Sequence, residues 1–174
     1  CFLFVINGAN LVDGFNGLLT INLLLINIIL TYINLNSANL EFSFFLIAQI
    51  IILLSFLLFN FPNAKIFLGD SGAFLLGSLV ALNIIKTNNL NPNISAFFFC
   101  TLLFYLFFEV FFSFCRKLIQ KKSPIYPDDK HLHMLSFYKI SRIYGKSKSN
   151  YLNSIIINFL YLVLITPGLY LLND

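Results

Sequence analysis

The residues able to do chemistry in this 174-residue chain sit in three polar stretches separated by long apolar runs. The first reads Asn7-Gly-Ala-Asn10-Leu-Val-Asp13-Gly14-Phe-Asn16-Gly17-Leu18, so that Asn7, Asn10, Asp13 and Asn16 recur every three residues. On a helical turn that spacing lines amides and a carboxylate along one side, and the glycines let backbone approach a ligand closely. Such a face suits a polar ligand carrying phosphate or sugar. The structural alternative is a turn with an Asx cap before the run at Leu18. A single Asp-Gly would fit that alternative well; the fourfold repetition favours the ligand-facing reading.

The second stretch reads Asn60-Phe-Pro62-Asn63-Ala-Lys65-Ile-Phe67-Leu-Gly69-Asp70-Ser71-Gly72. Asp70, between glycines and ahead of an apolar run, can cap that helix and be stabilised by its dipole. It can equally serve as a hard oxygen ligand for Mg²⁺, which keeps waters and takes one or two carboxylates plus substrate phosphates. With Asp13 on the same side of the chain's topology, the metal reading competes with the cap.

The third stretch, 116–150, holds both histidines in Lys122-Ser-Pro124-Ile-Tyr-Pro127-Asp128-Asp129-Lys130-His131-Leu-His133-Met134. Histidines at i and i+2 do not share a helical face, and no cysteine lies nearby to complete a tetrahedral zinc site. Imidazoles beside Lys and Arg suit phosphate oxygens; a basic loop lying on anionic headgroups is the alternative. Residues 135–144 interleave bulky apolar side chains with Lys139 and Arg142, as in an amphipathic segment on a membrane surface. Glu109, inside Phe-Phe-Glu-Val-Phe-Phe, is the one ionisable residue well within an apolar run. It either shapes a site or pairs with a polar group on another helix.

What must position these residues follows from composition. Of the chain, 59% is hydrophobic, 22 residues are Phe and only 10% is charged, far below the charged share of about 25% in soluble domains. That excludes an ordinary soluble globule, a disordered tail and a nucleic-acid-binding module. Cys1, Cys100 and Cys115 lack metal or disulfide spacing and read as small apolar residues. A membrane-crossing helix needs about 20 apolar residues, and the runs at 18–33, 42–59, 73–85, 94–115 and 151–172 approach that length. They are continuously apolar, unlike barrel strands. The expectation is an all-α, polytopic membrane helix bundle forming one unit over 1–174. It has five complete spans plus the tail of a sixth at 1–6, the chain being truncated at its N-terminus. Asn22, Asn27, Asn83 and Asn158 should face other helices. Connections at 7–17, 60–72 and 116–150 fall on one side and carry ten of the eleven Lys and Arg, only Lys86 lying opposite. The positive-inside rule makes that side cytoplasmic.

Together the three stretches resemble the polyprenyl-phosphate N-acetylhexosamine-1-phosphate transferase family, glycosyltransferase family 4. The first is similar to its NxxNxxDGxDGL motif, with Asn16 for the second Asp. The second is similar to its loop ending in FMGDSGS, with Ala73 for Ser. Arg116–Lys117 followed by SPxxPDxxHLH resembles the SPFxPDxxHxHH motif of the branch using UDP-N-acetylglucosamine, with Met134 where a third His stands and Glu109 where that branch has Asp. The resemblance implies that this chain is the C-terminal half of the enzyme, a paired-aspartate loop lying upstream, and that the half alone is inactive. It implies transfer of a HexNAc-1-phosphate, GlcNAc-1-phosphate in this branch, from a UDP-sugar to undecaprenyl phosphate with release of UMP, at the start of cell-envelope glycan synthesis. It further implies Mg²⁺, with Mn²⁺ as substitute, held by Asp70. Asn10, Asp13, His131 and His133 would be catalytic, and Asn7, Asn16, Asn60, Lys65, Phe67 and Arg116 would bind substrate. The implied setting is a bacterial inner membrane, with UDP-HexNAc, polyprenyl phosphate, membrane lipid and, as an open case, a second copy of the chain as partners. A transporter fragment would place its polar residues inside the helices, whereas most here lie between them; an inactive truncated bundle is the other alternative.

Overall fold

The computed structural model describes residues 2–121, 123 and 130–170. Cys1, the Pro-Asp segment at 124–129, Lys122 and the end of the last run at 171–174 lie outside the described residues, and so do the expectations placed on them. The described residues form eight helices: α1 (Phe2–Val12), α2 (Leu18–Asn36), α3 (Leu40–Asn60), α4 (Gly69–Leu90), α5 (Ala96–Leu102), α6 (Phe104–Ile119), α7 (Leu132–Tyr144) and α8 (Lys146–Tyr170). Helices are what continuous apolar runs must form in hydrocarbon, where each backbone group has to be satisfied within its own segment. Four of them (α2, α3, α4 and α8) are long and apolar enough to cross a membrane, and the bent pair α5 and α6 has the length and composition of a broken span or a re-entrant loop. The chain is a multi-pass membrane protein.

α2 is the central element, packed against α3, α4 and α8 and buried round most of its circumference. α3 buries only one edge and turns Phe44, Ile51, Ile52 and Leu58 outward. α1 lies against α4 and α6 by way of small residues, which let membrane helices approach closely. A Cβ on Gly8 would collide with the Leu106 carbonyl, and one on Gly77 would come within 2.6 Å of Ala9 Cβ. The first contact seats α1 on α6 and the second seats it, with Asn10 near its end, beside α4, which carries Asp70 in its first turn.

Three departures from the sequence reading bear on the site. The run at 94–115 is not one straight span: it breaks at Leu103 and bends by 69°. At the break the Tyr161 hydroxyl donates to the Leu102 carbonyl at 2.8 Å. A side chain inserted into the backbone ladder is a recognised cause of a kink. The short run at 73–85 lengthens at both ends into the 22-residue α4, which takes Asp70 out of a loop and into a helix. The connections expected at 7–17 and 116–150 are partly helical: α1 continues through Asn7 and Asn10, and α6, α7 and α8 occupy most of the third.

Candidate functional site

One end of the bundle gathers the turn between α1 and α2, the segment leading into α4 and the start of α7. Asn10 Nδ2 donates to Asp70 Oδ1 at 2.9 Å, a bond between residues 60 positions apart that exists because α1 and α4 are in close contact. Asp13 sits just past α1 and is half-buried. Its carboxyl is pushed up from 3.8 to about 6, first because burial strips water from the charged form and second because Asp70 is a like charge nearby.

The same turn is pinned from three directions. Asn16 donates its backbone N–H to Asn150 Oδ1 at 2.8 Å and its amide to the Pro62 carbonyl at 2.8 Å. Gly17 N–H donates to Asn60 Oδ1 at 2.6 Å, and Asn60 returns its Nδ2 to the Ile66 carbonyl at 2.8 Å. Asn16 and Asn60 therefore hold the first and second stretches in register. Both amide atoms of Asn60 and the Nδ2 of Asn16 are engaged with backbone groups.

The histidines arrive from the third stretch. His131 has extended backbone just ahead of α7 while His133 lies inside its first turn. For that reason the i, i+2 pair does not point apart as two helical residues would; the rings stack at 5.5 Å and 4°. Both are buried. Phe15 meets His133 edge-on at 5.6 Å, and His133 Nε2 lies 3.9 Å from the place a Cβ on Gly14 would take. Asp70, Asn10, Asp13, Gly14, His133 and His131 thus form one connected arrangement.

Other candidates stand apart from it. Asn7 donates to the Leu3 carbonyl at 2.7 Å, back along its own helix, and is exposed. Lys65 is exposed, and Phe67 is 74% exposed on the approach to α4. Arg116 lies in the last turn of α6, its guanidinium 5.8 Å from the Phe112 ring and 3.4 Å from Ser113 Oγ. Met134 is half-buried in α7. Among the described residues no group of three His, Cys, Asp or Glu is placed to hold a metal.

Three residues matter more than the sequence reading gave them. Asn150 holds Asn16, and Asn153 Nδ2 donates to the His133 carbonyl at 2.8 Å. Their three-residue spacing repeats that of the first stretch, which is the signal that could have found them. Glu109, left open between two roles, binds α7 directly.

A bundle of membrane helices that buries histidines and brings two carboxylates together at one end defines a polytopic membrane protein with a polar, acidic site. The comparisons narrow that class. The family model described as glycosyl transferase family 4 matches residues 1–88, and the chain belongs to that family. It is 34% identical over 142 residues to the undecaprenyl-phosphate alpha-N-acetylglucosaminyl 1-phosphate transferase of Thermotoga maritima, covering 81% of this chain and 42% of that protein. It is 43% identical over 79 residues to the phospho-N-acetylmuramoyl-pentapeptide-transferase of Leuconostoc mesenteroides, 45% of this chain and 25% of the relative. To the protein of that name in Pelagibacter ubique it is 31% identical over 137 residues, 69% of this chain and 38% of the relative. The chain therefore spans less than half the length of these relatives. No solved structure matches it.

Proposed function

We propose that this chain carries part of the active site of a membrane phosphosugar transferase, which moves GlcNAc-1-phosphate or a related HexNAc-1-phosphate from a UDP-sugar to undecaprenyl phosphate. An oxygen of the lipid phosphate forms a bond to the β-phosphorus, the bond from that phosphorus to the bridging oxygen breaks, and UMP leaves with the electron pair. The observation carrying this reading is the Asn10–Asp70 bond, with Asp13 held near pH 6 beside it. Asp13 can therefore hold or release a proton in the range where a phosphate ester also titrates, around 6.

The donor set fits Mg²⁺. Asp13, whose proton affinity is raised first by burial and then by the like charge of Asp70, forms with Asp70 a place where a divalent cation is stabilised. Among the described residues no third His, Cys, Asp or Glu joins them, an arrangement that suits an ion completing its shell with waters and phosphate oxygens. Asp70 would hold it, with Asp13 alongside; Mn²⁺ offers the same hard-cation chemistry. When bound, the ion would neutralise the diphosphate charge that otherwise repels an anionic nucleophile. Asn10 orients Asp70, while the buried His133 imidazole faces the same turn with His131 stacked on it, and both suit phosphate oxygens. Asn7, Lys65, Phe67 and Arg116 are left to bind the outlying parts of the substrates, Phe67 by offering an open ring to a base. The side bearing the basic residues is the cytosolic one, of a bacterial inner membrane, where UDP-sugars are found.

The test is UMP release by the full-length protein in detergent with undecaprenyl phosphate, Mg²⁺ and a panel of UDP-sugars. Asp70→Asn should lower release at least about 100-fold. Full turnover by that variant at saturating metal removes Asp70 from the metal site, and no release from any UDP-HexNAc by the parent protein sinks the transferase reading.

A further inference from the structure

Glu109 lies in α6, is 0% exposed, and has no part in the roles assigned above. Its carboxylate is fully engaged with the start of α7. Oε2 accepts the Leu132 backbone N–H at 3.0 Å, and Oε1 accepts that of His133 at 3.1 Å. Oε1 also meets His133 Nδ1 at 2.9 Å and accepts the Tyr105 hydroxyl at 3.1 Å. The two backbone groups are the first donors of α7, a helix whose own N-cap residue, His131, does not cap it with its side chain. An acid from a distant helix thus replaces the local cap and complements the dipole, while gripping the imidazole of the second helical residue.

The consequence for the ring is chemical. A carboxylate only accepts, so the nitrogen facing it must carry a proton. That puts the proton on Nδ1 and turns Nε2 the other way. Nε2 is buried, has no hydrogen-bond partner among the described residues, and faces Gly14. The backbone is held as firmly: Asn153 and Ser136 both donate to the His133 carbonyl, at 2.8 and 3.0 Å. A buried imidazole nitrogen without a partner is unfavourable. It sits in a ring every other polar atom of which is fixed.

We propose that Glu109 is the positioning residue of this site: it fixes His133 with its proton on Nδ1, so that Nε2 is kept for a phosphate-bearing ligand at the Asp13–Gly14 turn. The nature of that ligand rests on the transferase reading; the Nδ1 proton rests on the contacts alone. An amide has one accepting oxygen and an NH2 that only donates, whereas Glu109 meets three N–H groups with two accepting oxygens. Glu109→Gln therefore turns a donor toward the start of α7 and withdraws the charge that holds the proton on Nδ1.

The experiment takes the full-length protein in nanodiscs, labelled with ¹⁵N-histidine, the His133 signals being assigned by their loss in His133→Asn. The parent should show a protonated Nδ1, and Glu109→Gln should lose that signature while Glu109→Asp keeps it. In UMP release from UDP-GlcNAc, Glu109→Gln should lower kcat about 10–100-fold with little change in KM, and Glu109→Asp should recover part of the loss. An unprotonated Nδ1 in the parent, or a Glu109→Gln variant with parental spectrum and parental kcat, overturns the proposal. If the parent releases no UMP, the transferase reading fails, and the nitrogen spectra still decide whether Glu109 sets the ring.

Discussion

Two polar clusters, one at each end of α4, behave in opposite ways. Deep in the bundle Asn83 donates to Asn27 Oδ1 at 3.1 Å and to Gln49 Oε1 at 2.8 Å. Further along, Asn34 reaches Thr87 Oγ1 at 3.0 Å, and Asn91 reaches the Thr87 carbonyl at 2.8 Å. These groups are neutral and answer one another across helices. At the other end of α4, Asp70 and Asp13 are like charges drawn together, and His133 Nε2 has no partner. Satisfied amides hold α2, α3 and α4 together; the unsatisfied end is held by surrounding structure and is where a ligand has something to complete.

The sharpest way to break that contrast is Asn83→Leu. It removes the two bonds Asn83 donates and the long one it accepts from Gln49 Nε2, and leaves Asn27 and Gln49 facing a hydrocarbon side chain. Interhelical hydrogen bonds in membranes average about 0.6 kcal/mol each and reach about 1.7, so the expected loss is about 1–2 kcal/mol. Unfolding of the purified protein in mixed detergent micelles measures it, with KM for the UDP-sugar unchanged. A larger shift in KM than in stability would mean that the two clusters are not separate.

Metal-free protein tests the other side. Asp13 binds its proton more tightly when folded, at about 6, than in the unfolded chain, at about 3.8. Between those values the folded state holds more protons, so its stability falls as pH rises. The favourable contribution is complete below about 4 and gone above about 6. A two-unit shift corresponds to about 3 kcal/mol, which solvent screening of a partly exposed group reduces to about 1 kcal/mol. With EDTA present, the parent should lose about that much stability from pH 4 to pH 7 relative to Asp13→Asn. Identical pH profiles for the two proteins would show that neither burial nor Asp70 raises the Asp13 carboxyl.

The elements of this contrast were unequally legible in the sequence. Apolar length announces α2, α3 and α8 because hydrocarbon thickness sets it. The every-third-residue spacing of Asn7, Asn10, Asp13 and Asn16 announces a polar face because helical geometry sets that. It did not reveal that Asn7 bonds back to Leu3 or that Asn16 is occupied by Pro62, since those outcomes depend on neighbours far along the chain. The bend at Leu103 is invisible for the same reason: 94–115 is evenly apolar, and the hydroxyl at the break comes from Tyr161, 59 residues away from Leu102. Glu109 stood out as a charge in an apolar run, but its partners lie 23 and 24 residues later, across a break in the helices. Spacing encodes faces; it does not encode which faces meet.

The smallest predicted effect separates two residues of the same type on the same helix. Asn27 and Asn22 both lie in α2 and both are 0% exposed. Asn27 is bonded to Asn83, yet neither side-chain polar atom of Asn22 has a partner among the described residues. Across from it Asn158 donates to the Leu18 carbonyl at 3.1 Å, one turn before Asn22, and its own Oδ1 is likewise unmatched. Removing an amide that makes no bond sacrifices nothing and relieves its desolvation, so Asn22→Leu should be neutral or stabilising by up to about 1 kcal/mol. The same unfolding assay decides. A loss equal to that of Asn83→Leu would mean that a buried water joins Asn22 to Asn158, making α2 a polar seam along its length and erasing the difference between the satisfied interior and the open end.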